Sequence, residues 1–212
     1  MTPARLLLAD DHRIVVEGLR AILTPEFDLV GIVDDGRKLV DAAMKLAPEI
    51  IVADISMPHL NGLDAISQLK DLGCTAKVVF LTMHKDATYA ARALALGASG
   101  FVLKHAVSTE LLEAIRTARN GGVYVTSEIE AGLQELKTRR TVSITSPSLT
   151  SRQREVLQLF AEGNSAREVA ASLHISPRTA ENHKARIMAQ LRLETTADLV
   201  QYALRHGIIA AD

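Results

Sequence analysis

The sequence predicts an α/β domain with a doubly wound, five-stranded parallel sheet, joined by a linker to an all-α helix-turn-helix domain. Three observations predict this. Through the first 120 residues, apolar runs of strand length alternate with segments of helical period, the pattern of a parallel sheet covered by helices. Residues 121–147 open on Gly-Gly and close in a Ser/Thr-rich run, a composition that buries little. Beyond them every periodic segment is helical.

The expected strands are 5–9, 29–33, 50–53, 78–82 and 100–103. The helices between and after them are 14–23, 39–46, 62–69, 87–96 and 109–119. A short helix over 127–137 is expected inside the linker. The second domain should hold helices at 151–162, 166–173, 177–191 and 196–206. Thr150 with Gln153 and Ser165 with Glu168 have capping-box spacing, in which each side chain satisfies an otherwise orphaned backbone donor. Ser176 before Pro177 places a cap ahead of a first-turn proline. The division is 1–120, 121–147 and 148–212.

The 212 residues carry 24 Lys and Arg against 25 Asp and Glu, with 48% apolar residues and no Trp. Such a balance excludes wholesale disorder and a coiled-coil rod. The first 120 residues hold 13 basic and 15 acidic side chains, and residues 148–212 hold 8 and 7, so any nucleic-acid surface must be a local stripe. Cys74 is the only cysteine, which excludes an intramolecular disulfide and fits a reducing compartment. The apolar run at 6–9 is far below the length of a membrane span. A cytoplasmic protein without a membrane partner is expected.

In an open parallel sheet, ligands bind beyond the carboxyl ends of the strands. Asp10 and Asp11 follow the first strand, Asp54 the third and Lys104 the fifth, while Thr82 ends the fourth. Taken singly, each is an ordinary solvated turn residue; five on one rim are a constellation. Three converging carboxylates repel unless a cation joins them, and hard oxygen donors with open positions suit Mg²⁺. Asp54 can then attack phosphorus as a carboxylate nucleophile, with Lys104 and the Thr82 hydroxyl on the phosphoryl oxygens. His12, His59, His84 and His105 lie on the same rim, but their spacing matches no zinc motif. They read as solvated residues, with His84 placed to tune access to Asp54.

Residues 4–119 resemble the receiver domain of a two-component response regulator. The resemblance rests on Leu-Ala-Asp-Asp-His (8–12), Ile-Val-Ala-Asp-Ile-Ser-Met-Pro-His-Leu-Asn-Gly (51–62), Val-Phe-Leu-Thr-Met-His (79–84) and Ala-Leu-Gly-Ala-Ser-Gly-Phe-Val-Leu-Lys (95–104). It implies a flavodoxin-like fold, Asp54 as phosphoacceptor, and Mg²⁺ held by Asp10, Asp11, Asp54 and the Ser56 carbonyl. It also implies Lys104 at the phosphoryl group and Thr82 with Phe101 as a switch pair. Physically, a phosphoryl group would draw the Thr82 hydroxyl inward and give a neighbouring ring room to turn. One departure is His105 after Lys104, where the family often has proline in a cis peptide.

In the second domain, 166–173 and 177–191 are joined by a short turn, the spacing of a helix-turn-helix. Val169, Ala170, Leu173, Ala180, Ile187 and Leu191 can face a common core. The other face of the second helix offers Arg178, Glu181, Asn182, Lys184, Ala185 and Arg186, a polar and basic surface that a major groove accepts. Arg178, Lys184 and Arg186 suit phosphates, whereas Asn182 and Glu181 suit base edges. Residues 149–209 resemble a LuxR-type DNA-binding domain through Leu-Thr-Ser-Arg-Gln-Arg-Glu-Val-Leu, Ile-Ser-Pro-Arg-Thr-Ala-Glu-Asn-His-Lys and Ala-Asp-Leu-Val-Gln-Tyr-Ala. That resemblance adds Thr179 to the DNA face and makes 196–206 a dimerisation helix. Ala185 stands where relatives often carry a polar side chain, and Ser151 where they carry proline.

In this order the two resemblances are those of a NarL/FixJ-type response regulator. They imply a transcription factor switched by a sensor histidine kinase, binding promoter DNA as a homodimer, with RNA polymerase as a further partner. No enzymatic turnover is expected beyond slow loss of its own phosphoryl group. The alternatives are a regulator that binds DNA without phosphate control and, less suited to the helical domain, an aspartyl-phosphate-forming phosphohydrolase.

Overall fold

The computed structural model describes residues 3–83, 85–139 and 149–209. Its first part alternates β1 (Ala4–Ala9), α1 (Arg13–Leu23), β2 (Phe27–Val33), α2 (Gly36–Leu46), β3 (Ile50–Asp54), α3 (Gly62–Asp71), β4 (Lys77–Thr82), α4 (Ala87–Ala95), β5 (Gly100–Leu103) and α5 (Val107–Arg119). The strands run in parallel in the order β2-β1-β3-β4-β5. Side chains alternate across a strand, so the sheet builds two cores. Leu7, Ala9, Ile51, Ala53, Phe80 and Phe101 face the α2, α3 and α4 side. Leu6, Leu8, Val52, Val79, Leu81 and Val102 face α1 and α5. Both faces being covered is why these strands read as continuous apolar runs.

The expectation of five strands is corrected to six. β6 (Tyr124–Val125) pairs in parallel with Gly100 and Phe101. Gly121, at φ 81°, turns the chain after α5, and Tyr124 N and Thr126 N donate to the Ser99 and Phe101 carbonyls (both 3.0 Å). Two residues are too few for periodicity to register. The helix expected within the linker is α6 (Ser127–Arg139); its Ile129 and Leu133 are buried with the α4 side of the sheet. The rest of the expected linker, 140–147, lies outside the described residues, as do Ser148 and His84.

The second part is α7 (Ser151–Ala161), α8 (Ala166–Leu173), α9 (Pro177–Leu191) and α10 (Thr196–Arg205). Both expected capping boxes form, and Ser176 accepts from Thr179 N with Pro177 in the first turn. A third box, Thr195 with Asp198, opens α10. His174, in the left-handed conformation at φ 53°, makes the turn between α8 and α9. Val169, Ala170, Leu173, Ala180 and Ile187 are buried in one cluster, with Leu191 packed against it. Among the described residues no helix is long and apolar enough to cross a membrane.

Candidate functional site

The rim at the carboxyl ends of the strands gathers the expected residues. Asp10 and Asp54 are buried, as is Thr82, while Asp11 is exposed. Lys104, whose side chain is only 6% exposed, reaches between two carboxylates, with its Nζ 2.7 Å from Asp10 Oδ2 and 2.6 Å from Asp54 Oδ2. Ser56 N donates to Asp54 Oδ1 (3.2 Å) and His12 N to Asp10 Oδ1 (2.9 Å). Glycine is needed beneath the site, since a Cβ at Gly62 would stand 2.0 Å from the Asp54 carbonyl oxygen.

Burial pushes the Asp54 carboxyl up to about 6, against the pull of Lys104 and with added repulsion from Asp10. Burial also acts to lower Lys104, but Asp54 and Asp10 outweigh it and hold the ammonium above its ordinary value. The crowding is what a cation would relieve. Asp10, Asp11, His12 and Asp54 can each present a ligand atom, all within 4.8 Å of one another. Asp10 Oδ2 is buried and, beyond its ionic contact with Lys104, has no hydrogen bond. An oxygen-rich set with a buried carboxylate oxygen in reserve fits Mg²⁺.

The described rim histidines do not assemble into a zinc site. His12 Nδ1 lies 2.8 Å from Asp11, His59 Nδ1 3.8 Å from Asp35, and His105 Nε2 2.9 Å from Glu128. The segment from Lys104 to Ala106 forms a 3-10 turn, and no peptide bond among the described residues is cis. Phe101 is fully buried beside Phe80, two register steps from the pairing of Thr82 with Leu103.

On α9, Arg178, Glu181, Asn182, Ala185 and Arg186 are exposed. Thr179 and Lys184 are half-buried. The Thr179 hydroxyl lies 2.8 Å from Ser176 Oγ, and Lys184 Nζ contacts Thr196 Oγ1 (3.3 Å) and stands 4.9 Å over the Phe160 ring. Ala180 and Ile187 turn inward.

Residues 6–116 match the model of the response regulator receiver domain, and residues 147–203 match that of the bacterial regulatory proteins of the luxR family. The chain is a NarL/FixJ-type response regulator. It is 34% identical over 208 residues to the transcriptional regulatory protein MctR of Rhizobium johnstonii, covering 97% of this chain and 95% of that one. It is equally identical to the oxygen regulatory protein NreC of Staphylococcus aureus, covering 97% and 99%. The response regulator RcsB of Salmonella enterica serovar Typhimurium, solved bound to a promoter in the presence of a beryllofluoride phosphomimetic, superposes with a TM-score of 0.61 at 27% identity. That match covers 95% of this chain and 98% of RcsB.

This response regulator also holds a polar cluster between its halves that sequence reasoning missed. Gln158 of α7 donates through Nε2 to the Met57 carbonyl (2.9 Å) and accepts at Oε1 from Asn61 N (2.8 Å). Glu162 accepts from His59 N (3.1 Å). Asp64 of α3 takes guanidinium contacts at 2.7 Å from Arg92 of α4 and from Arg154 of α7. Arg37 of α2 donates to Glu155 (3.0 Å) and to the Ser172 carbonyl. The only sequence signal was the spacing of Glu155, Gln158 and Glu162, one stripe of a helix, which reads as a solvated face.

Proposed function

We propose that Asp54 is the phosphoacceptor of a two-component transcription factor. The observation that carries this reading is Lys104, held between Asp10 and Asp54 where it can meet both the nucleophile and an incoming phosphoryl group. Asp10, Asp11, Asp54 and the Ser56 carbonyl would hold Mg²⁺. When bound, the ion neutralises the crowded carboxylates and shields the charge of the phosphoryl oxygens.

Asp54, with a pKa near 6, is mostly ionised at neutral pH. One carboxylate oxygen attacks phosphorus, forming an O–P bond as the N–P bond of a kinase phosphohistidine breaks, and the electron pair leaves with the imidazole. Lys104 follows the charge from the carboxylate to the phosphoryl oxygens, and the Thr82 hydroxyl donates to them. Movement of Thr82 then alters the packing around Phe101 and α4. The protein acts as a switch without substrate turnover.

In the helical domain, Arg178, Lys184 and Arg186 contact phosphates while Glu181 and Asn182 face base edges, with Thr179 and Ala185 completing the DNA surface. Promoter DNA is bound in the cytoplasm by a homodimer paired through α10, each copy reading one half-site, and bound protein is positioned to meet RNA polymerase. Because RcsB was solved on a promoter in a phosphomimetic state, the same sequence of events suits this relative. The test is incubation with Mg²⁺ and acetyl phosphate, followed by intact and peptide mass spectrometry. A single phosphoryl adduct on the Asp54 peptide, absent from Asp54→Ala, is expected; an adduct that survives the substitution refutes the assignment.

A further inference from the structure

Helix α9 carries polar side chains of two kinds, those engaged by the fold and those left over. The Thr179 hydroxyl lies 2.8 Å from Ser176 Oγ in the cap, Lys184 Nζ reaches Thr196 Oγ1 and the Phe160 ring, and Gln190 Oε1 accepts from Gln153 Nε2 (2.9 Å). Arg178, Glu181, Asn182 and Arg186 are exposed, and their side chains make no hydrogen bond or ion pair with the described residues. Asn182 is the informative one. Asparagine is disfavoured inside a helix, because its short amide competes for the neighbouring backbone. Here it sits in the interior of α9, caps nothing and pairs with nothing, so the helix bears that cost without structural return.

Ala185 is exposed three residues further on, and residues three apart are neighbours on a helix surface. By itself an exposed alanine is only a good helix former; its place beside an unengaged amide gives it a second meaning. Three residues advance a helix by about 4.5 Å, and base pairs follow one another at about 3.4 Å. A helix in the major groove therefore sets side chains at this spacing over successive base pairs. The two side chains read different chemistry there. A free carboxamide matches the N7 acceptor and the N6 donor of adenine together. A methyl group has neither donor nor acceptor, and its counterpart on the floor of the groove is the C5-methyl of thymine.

We propose that Ala185 is a specificity-determining residue: with Asn182 it reads two successive A·T pairs in each half-site, Asn182 through adenine N6 and N7, and Ala185 through the thymine methyl of the adjoining pair. This rests on α9 being the helix that enters the groove. The two pairs are read with unequal strength. A bidentate amide leaves its own groups unmatched when it meets the wrong base, whereas loss of a methyl contact removes only a small apolar burial. The pair under Asn182 is therefore the strict one and the pair under Ala185 the tolerant one. Lys184, held by Phe160 and Thr196, does not compete for either base edge.

The test begins with the full chain, incubated with Mg²⁺ and acetyl phosphate, selecting duplexes from a random-sequence library at fixed salt. Thymines of the selected site are then replaced one at a time by uracil, which removes the C5-methyl alone. The parent is expected to lose about four-fold in affinity at one thymine of each half-site, the contribution of one buried methyl group. Ala185→Gly should bind the thymine and uracil duplexes equally. Asn182→Ala should accept A·T and G·C within two-fold at the pair next to that thymine, where the parent separates them about five-fold or more. A site in which no uracil matters, or in which Ala185→Gly keeps the four-fold difference, overturns the inference. So does relaxation by Asn182→Ala at a pair that does not adjoin the sensitive thymine. That adjacency decides the matter if circular dichroism shows Ala185→Gly unfolded, since the uracil arm leaves the protein unaltered. Selection of no sequence also overturns it. If, in addition, an Arg178→Ala, Arg186→Ala double variant binds mixed-sequence DNA as tightly as the parent, α9 is not the DNA face, and that reading falls separately.

Discussion

Asp54 holds a charge that its surroundings resist, and this has a consequence for stability. Its carboxyl titrates near 6 when folded, against an ordinary value of 3.8, because burial outweighs the attraction of Lys104. A group whose folded value is raised binds its proton more tightly in the folded state. Its contribution is therefore most favourable below about pH 4, falls as pH rises through 6, and is a full penalty above that. Asparagine has the shape of the neutral form. Asp54→Asn should thus be more stable than the parent at pH 8 without metal, by about 1–3 kcal/mol on the scale of 1.36 kcal/mol for each pH unit. The gap should close as pH falls from 6 to 4, read by thermal denaturation across that range. Mg²⁺ should raise the melting temperature of the parent at pH 8 and leave the variant nearly unmoved, since binding stabilises only what it binds. A variant less stable than the parent at pH 8 would show that the ion pair with Lys104 dominates instead.

At the scale of elements, what the sequence made legible were features whose cause is local. The rim residues could be placed because each ends or immediately follows an apolar strand, and the starts of α7, α8 and α9 because Thr150, Ser165 and Ser176 carry their own caps. The third box was missed because its third-position residue is Asp198, shorter than the usual Glu or Gln. The strand Tyr124–Val125 was missed for another reason: it exists only through its partner β5, and neither its length nor its composition announces it. Helix α9 also shows how exposure refines a list of candidates. Arg186 is exposed, whereas Lys184 is half-buried and engaged with Phe160 and Thr196. Each full phosphate contact contributes about 0.9 to the slope of log affinity against log salt. Arg186→Ala should lower that slope on duplex DNA by about 1, and Lys184→Ala by clearly less. Equal losses in a salt titration would mean that Lys184 swings free of Phe160 on binding.

At the scale of the whole molecule, the contacts between the halves were illegible because they break the rule by which sequence is read. Glu155, Gln158 and Asp64 look like solvated positions, and each is buried with a partner from the other half in addition to those in its own. The arrangement that results decides how the receiver domain can control DNA binding. If the receiver domain acted by covering the recognition helix, Arg178, Glu181, Asn182 and Arg186 would be hidden when the halves are docked, yet all four are exposed. Tyr89 of α4 packs instead against Gly207, just beyond the candidate dimerisation helix α10. Control should therefore fall on pairing of the helical domains, with groove access left open. The expected outcome is that the full chain and Gln158→Leu bind a short nonspecific duplex, long enough for one copy, within two-fold of each other at the same salt and with the same salt slope. On a longer duplex that admits two copies, the opened variant should bind with greater cooperativity. A steeper slope for the variant on the short duplex would mean that docking does conceal phosphate-contacting residues, and would return occlusion as the means of control.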